Sequence, residues 1–464
     1  MKTKNIYNLL ISSFIAVGTC GCKCDGEMTS PIPEVLYAYL EQQQEQKVTT
    51  DGYCAYFDLS DGMLSAYSDP TTKDNLKSIV NKITGNAACE QVYALKNGMV
   101  EKLEKSQTEL YNYILNSRSY AQMAPIEETL KQIVSDPKSA FLVTDFEEYT
   151  NGSIQHQNYA KKYFVKWLNK GFDISFFVMD YTEGKKNKRL YFTVFNSTDR
   201  TLFNDIESAL DGKKVNYKKF NLTANLITFD YNYAAVTRGG SYHDANTGED
   251  IVSCTNETGE GNCYTIYKDF KSEFYPFEAT WTDIVANAKS MSEEGNAPVF
   301  THLITGPVAD FSLMSGYKVE KVGIRTYDIQ NDFNKFTGYY EFCKSGTNAD
   351  EEGKVLPEFD YNKAGGTINE VADLFAYSGK VNNDKASVNI DFRTGFSGEI
   401  ANMPANDLLR VDVVIAECRP KYNVIDELFA WDGNNSLADA VRNTLQEVNP
   451  QGNNIYTFFI CALQ

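Results

Sequence analysis

From Tyr53 to Gly212 the chain alternates two hydrophobic rhythms, and this alternation limits its fold more than any other feature. "YCAYFDL" (53–59) is a continuous apolar run of strand length. "KDNLKSIVNKI" (73–83) then places Leu76, Ile79, Val80 and Ile83 on one helical face. "QVYALKNGMVEKL" (91–103) reads as two strands about Asn97-Gly98, the strongest short hairpin signal. "ELYNYILN" and "IEETLKQIV" are helical, "SAFLVTDF" is a strand, and "YAKKYFVKWLNKG" is a helix ended by Gly171. "DISFFVMDY" and "RLYFTVF" are strands, and "TLFNDIESALDG" is a helix. Strands separated by helices imply crossover connections. Residues 51–213 are therefore expected to form a doubly wound, mostly parallel, Rossmann-like α/β domain.

After residue 214 the texture changes. "NLITFDYNYAAVT", "CYTIYKDF", "APVFTHLIT", "YKVEKVGIRTYDI", "KFTGYYEFC", "SVNIDFRTGF", "LLRVDVVIAEC" and "NIYTFFICAL" are short alternating runs between polar loops. Two helical stretches interrupt them, "TWTDIVANAKS" and "SLADAVRNTLQEV". This pattern predicts a mostly antiparallel β-rich region over 214–464, in one or two β-sandwich-like domains. A length of 464 residues, too great for one core, agrees with two or three domains. The abundance of Tyr (30) and Phe (28), which suit a pleated surface, points to strand-rich structure.

The first residues are read as an address. Lys2 and Lys4 precede the apolar run "IYNLLISSFIAVG", and "TCGC" sets Gly21 before Cys22. The segment resembles a bacterial lipoprotein signal peptide over 1–21, with Cys22 acylated and residues 22–50 a polar, Gln-rich tether. The apolar run is shorter than the ~20 residues of a membrane span. Loss of residues 1–21 removes two lysines and no acid, taking the net charge from −18 to −20. A chain this acidic repels nucleic acid. "KCDGE" after the cysteine resembles the acidic export tag of Bacteroidetes surface lipoproteins. The expected location is the outer membrane, on the cell surface or on the periplasmic face.

Outside the cytoplasm disulfides are permitted. Cys254 and Cys263 close the Gly-rich loop "CTNETGEGNC", which reads as a hairpin staple. Cys418 and Cys461 end two late strands and offer a second pairing. No CxxC pair occurs, so a zinc site is not expected.

"YFDLSDGML" (56–64) ends the first strand in a turn bearing Asp58, Ser60, Asp61 and Gly62, and "FLVTD" ends a later strand at Asp145. Binding groups of parallel sheets gather at the carboxyl ends of strands, so Asp58 and Asp145 are expected to be neighbours. Here the chain resembles the von Willebrand factor type A family, whose D-x-S-x-S turn, later-loop Thr and strand-ending T-D form a metal-ion-dependent adhesion site. Asp58, Ser60 and Thr144-Asp145 match. Gly62 stands where the family has Ser, and Ala124, before Pro125, where it has Thr. Mg²⁺ requires near-octahedral oxygen at about 2.1 Å. Two of the three hydroxyls that bind the metal directly in the family are missing, so Asp58, Ser60 and Asp145 are expected to form a degenerate site. No cofactor is expected, and Mg²⁺ is the ion the site would take if it kept one. If the first two strands are parallel neighbours, as in that family, Cys54 and Cys89 lie close enough to bridge.

Other chemistry finds less support. "FDLSD" lacks the second Asp of the haloacid-dehalogenase D-x-D. No G-x-S-x-G accompanies His156, His243 or His302. "DGNNSLADAVRN" lacks the glycine and final glutamate of a calcium loop. The expected function is binding or adhesion, with a protein or glycan ligand and a membrane contact through acyl chains. An extracellular carboxylate-dependent hydrolase and a purely structural envelope lipoprotein are the rivals.

Overall fold

The computed structural model describes Tyr39 and residues 52–150, 153–154, 158–197, 200–212, 216–230, 308–344, 375–392, 408–431 and 433–463. It also describes short strands at 242–243, 250–252, 263–268, 273–277, 304–305 and 369–370. The signal segment, Cys22, the calcium-like Asp432, "NADEEG", His156, His302 and Cys254 lie outside the described residues, as does the side chain of Cys263.

The first half follows the predicted order. Strand β1 (Tyr53–Asp58) leads through α1 (Leu64–Ser68) to α2 (Pro70–Thr84), which buries Leu76, Ile79, Val80 and Ile83. Strands β2 (Cys89–Lys96) and β3 (Met99–Leu103) form the hairpin, with Asn97 at φ 50° and Gly98 at φ 68°, the paired left-handed conformation of a two-residue turn. Helix α3 (Gln107–Ile114) starts on a capping box of Ser106 and Glu109. Helix α4 (Ile126–Ser135), β4 (Ser139–Thr144), α5 (Lys161–Leu168), β5 (Asp173–Glu183), β6 (Lys186–Asn196), α6 (Thr201–Asp211) and β7 (Lys218–Leu222) complete it.

The seven strands lie in the order β3-β2-β1-β4-β6-β5-β7. β1 is parallel to both β2 and β4. Beyond β4 the mostly parallel expectation fails, because β6 is antiparallel to β4 and β5, and β7 is antiparallel to β5. The reason is the connection. Only Gly184 and Lys185 separate β5 from β6, too few for a crossover, and Gly184 supplies φ 61° for a hairpin. The sheet is mixed. It also extends past the expected boundary at 213, since β7 forms its far edge.

Both faces are covered. One packs on α1, α2, α3 and α6, through residues such as Tyr67, Ile79, Ile114 and Phe203. The other packs on α4, α5 and two helices from the far end of the chain, α8 (Tyr422–Phe429) and α9 (Ser436–Glu447). A hairpin stands where a crossover helix would have covered this face, and α8 fills the place. Phe429 sits 5.1 Å from Phe176 and 5.0 Å from Phe220, and stacks on Tyr191 at 5.8 Å. Tyr191 Oη donates to the Leu428 carbonyl at 2.9 Å. One buried cluster thus runs from Tyr56 to Tyr456 through both halves.

The strands of the second half pair antiparallel, as expected. β9 (Tyr317–Asp328), β12 (Leu408–Pro420) and β13 (Asn454–Leu463) are adjacent in a six-stranded sheet with 263–268, 273–277 and 369–370. β8 (Val308–Asp310), β10 (Phe375–Asn382) and β11 (Lys385–Phe392) form most of a second sheet. The two sheets meet where a Cβ on Gly379 would fall 2.9 Å from Val322. "KFTGYYEFC", expected as a strand, lies inside helix α7 (Gln330–Lys344).

The expected Cys54–Cys89 bridge is not formed, and both thiols are free. The strands start side by side, but the register pairs Cys89 with Tyr53 and Cys54 with Gln91. Successive side chains point to opposite faces, so Cys54 packs into one core and Cys89 into the other. Burial pushes the Cys54 thiol up, and the Cys89 thiol up to about 12. Cys418 is also free. β12 pairs Leu408 with Cys461, ten residues from Cys418 and so about 33 Å along the strand, which rules out that pairing.

Candidate functional site

The carboxyl ends of β1 and β4 do meet. Phe57 pairs with Val143, and one step further Thr144 Oγ1 donates to Asp58 Oδ2 at 2.8 Å. The second oxygen of Asp58 accepts the Ser60 N–H at 2.9 Å. Beyond Thr144 the chain turns sharply at Phe146, whose φ of 57° is costly for a bulky residue. The turn is held by the Phe146 N–H donating to Thr144 Oγ1 (3.0 Å), by Tyr159 Oη donating to the Phe146 carbonyl (3.1 Å), and by the Phe146 ring against Tyr191.

That turn aims Asp145 and Glu147 inward. Asp145 accepts the Glu147 N–H at 3.0 Å and Tyr181 Oη at 3.3 Å. Glu147 takes Lys188 Nζ on one oxygen at 2.8 Å and Trp431 Nε1 on the other at 3.2 Å. Lys188 also reaches Glu183 at 2.7 Å and lies 3.9 Å from Asp145. Asp58, Asp145, Glu147 and Lys188 are 1, 3, 7 and 6 % exposed. The centre is an ammonium among three carboxylates, of which Asp145 and Glu147 are buried and Glu183 is partly exposed.

Burial governs the electrostatics. It pushes the Asp58 carboxyl up to about 6, against the hydrogen bonds from Ser60 and Thr144 and with help from the Glu147 charge. Burial, then the charges of Glu147 and Asp58, hold Asp145 well above the carboxylate range, and Lys188 only partly offsets them. For Lys188 burial works the other way. The charge of Asp145 and the hydrogen bonds to Glu147 and Glu183 outweigh it, so the ammonium stays protonated.

The remaining motif positions are placed as follows. Ser60 is half-buried, forms a bridge to Ala121, and its hydroxyl caps no helix. Asp61 is exposed and does not turn into the site. A Cβ on Gly62 would meet only Ser60 Oγ, at 3.9 Å. Ala124 is buried before Pro125, whose carbonyl accepts from Thr129 at the start of α4. Among the described residues no group of three or more His, Cys, Asp or Glu has the arrangement to hold a metal ion.

Glu147, Lys188, Tyr181, Glu183 and Trp431 are absent from the sequence motif. Two signals could have found three of them. Lys188 continues the period of two set by Leu190, Phe192 and Val194, and Tyr181 and Glu183 continue that of Phe177 and Met179, all on one buried face. Lys188 and Tyr181 are register partners. Trp431 had no local signal.

No protein-family model, curated protein or solved structure matches the chain. What fold and site define is a class: a three-layer α/β/α sheet with a lysine-centred carboxylate cluster, joined to antiparallel β-sheets.

Proposed function

We propose that this chain is a lipid-anchored extracytoplasmic binding protein, acylated at Cys22 and held at the outer membrane. Its von Willebrand A-like domain recognises a protein or glycan without a metal ion. One observation carries the reading: the Lys188 ammonium sits where a cation would serve Asp145 and Glu147. A side chain that supplies the positive charge internally removes the reason to bind one. The β3-β2-β1-β4 order, with its Asn97-Gly98 hairpin, supports the likeness to that family, and the antiparallel β6 departs from it. Exposed Met99 and Met123 lie near the same end of the sheet, where Gly98 N–H donates to the Met123 carbonyl. They are suited to contact with a partner.

The hydrolase reading has one observation in its favour, the Asp58 carboxyl near 6, a value useful to a general acid. That carboxyl is buried and hydrogen-bonded on both oxygens, which favours binding. The deciding experiment combines a glycan array with a panel of chromogenic glycosides, both in EDTA. Glycan binding without turnover is expected, and turnover abolished by Asp145→Asn would overturn the reading. Calorimetric titration of Mg²⁺ and Mn²⁺ should give no Asp58-dependent heat. Labelled palmitate should be incorporated into the wild type and not into Cys22→Ser.

A further inference from the structure

The sequence presents residues 22–50 as a polar spacer, yet Tyr39 within it is fully buried. Its ring packs edge-on against Phe333 and tilted against Phe336, each at 5.4 Å. Its hydroxyl donates to Asp332 Oδ2 at 2.8 Å. These three partners occupy one face of α7, since Asp332 and Phe336 are four residues apart and Phe333 and Phe336 three. Asp332 is itself buried, and among the described residues Tyr39 supplies its hydrogen bond. A buried carboxylate without a donor is costly, and Phe336 would lose an aromatic neighbour. The face is made for an aromatic ring with a hydroxyl at its tip.

We propose that the Asp332–Phe333–Phe336 face of α7 is the docking site for the leader, and that Tyr39, not the start of β1, is where the tether ends. The consequence for the membrane rests on the lipid-anchor reading above. Seventeen residue steps separate Cys22 from Tyr39, a reach of at most about 58 Å, whereas 31 steps to Tyr53 would allow about 105 Å. Docking lowers the greatest height of the body above the bilayer about 1.8-fold. It also places the end of the tether on helix α7 of the β-rich region.

The test has two arms, both on the full chain. In detergent, hydrogen exchange is followed in peptides spanning residues 36–42 for the wild type, Asp332→Ala, Phe336→Ala and Tyr39→Ala. Exchange at least tenfold slower than in a free peptide of that sequence, with the protection lost in the α7 variants and in Tyr39→Ala, is expected. Exchange in the wild type as fast as in the free peptide would overturn the docking, whatever the membrane behaviour. In supported bilayers, neutron reflectometry should find the Tyr39→Ala body further from the lipid than the wild type. Equal heights would overturn the shortened tether. Slow exchange in a protein that does not associate with bilayers would retire the lipid anchor and leave the docking site standing.

Discussion

At Asp58 the carboxyl is pushed up to about 6, above its usual value in an unfolded chain, so the fold prefers it protonated. The stability this brings is complete below about pH 4 and is lost as pH rises through about 6, a change of about 3 kcal/mol. Asp145 is shifted in the same direction, so the two slopes add. Asp58→Asn is expected to be more stable than the wild type at pH 7 and to flatten the slope between pH 4 and 6. In that variant the Thr144 hydroxyl can accept from the new amide while still accepting the Phe146 N–H. Urea unfolding across that range is the check, and a wild type indifferent to pH there would contradict the cluster's electrostatics. Lys188→Met leaves Asp145, Glu147 and Glu183 without their ammonium and should cost about 3–5 kcal/mol. Adding Glu147→Gln should recover part of that loss, so the double-mutant cycle reports their coupling. The sequence disclosed Asp58, Thr144 and Asp145, because a strand-ending acid is a local signal. Strand alternation points Lys188 to the buried face, but its pairing and that of Trp431 with Glu147 were not legible, because only tertiary packing brings positions 41 and 284 residues away to one carboxylate.

Among the elements, helices with a clean apolar stripe were readable to within a few residues, as α2, α4 and α9 illustrate. α7 was misread because "KFTGYYEFC" is rich in aromatics, which favour strands in isolation, while burial of Phe336 and Asp332 in the fold decides for helix. The direction of β6 could have been read from the seven residues between "DISFFVMDY" and "RLYFTVF", too few for a crossover. The identity of the element covering that hairpin could not, because α8 lies more than 200 residues away in sequence. Phe429 meets three aromatic rings of the sheet. Phe429→Ala should destabilise the chain by about 3–5 kcal/mol through the cavity left between Phe176, Tyr191 and Phe220. Tyr191→Phe, which removes only the hydrogen bond to Leu428, should cost about 1 kcal/mol. Chemical denaturation would rank the two, and equal losses would mean that α8 is held by its backbone contacts instead.

For the whole molecule, the sheet and the C-terminal helices share one buried cluster, so the halves are not expected to unfold independently. A fragment of residues 30–213 lacks β7, α8 and α9 and leaves Phe176 and Tyr191 open on one face. It should bind a hydrophobic dye and lack fixed near-ultraviolet dichroism, whereas the full chain should show coincident transitions by fluorescence and dichroism. A compact, cooperatively melting fragment would mean that α8 and α9 are accessory. The same long-range closure bears on biosynthesis. The sheet's last strand ends at Leu222 and its cover begins at Tyr422, so some 200 residues must be made before the exposed face finds its helices. At ordinary elongation rates that is roughly 10–40 s. For that interval a nascent aromatic surface is open to aggregation, and this chain should depend on a holdase during its production more than its size alone would suggest.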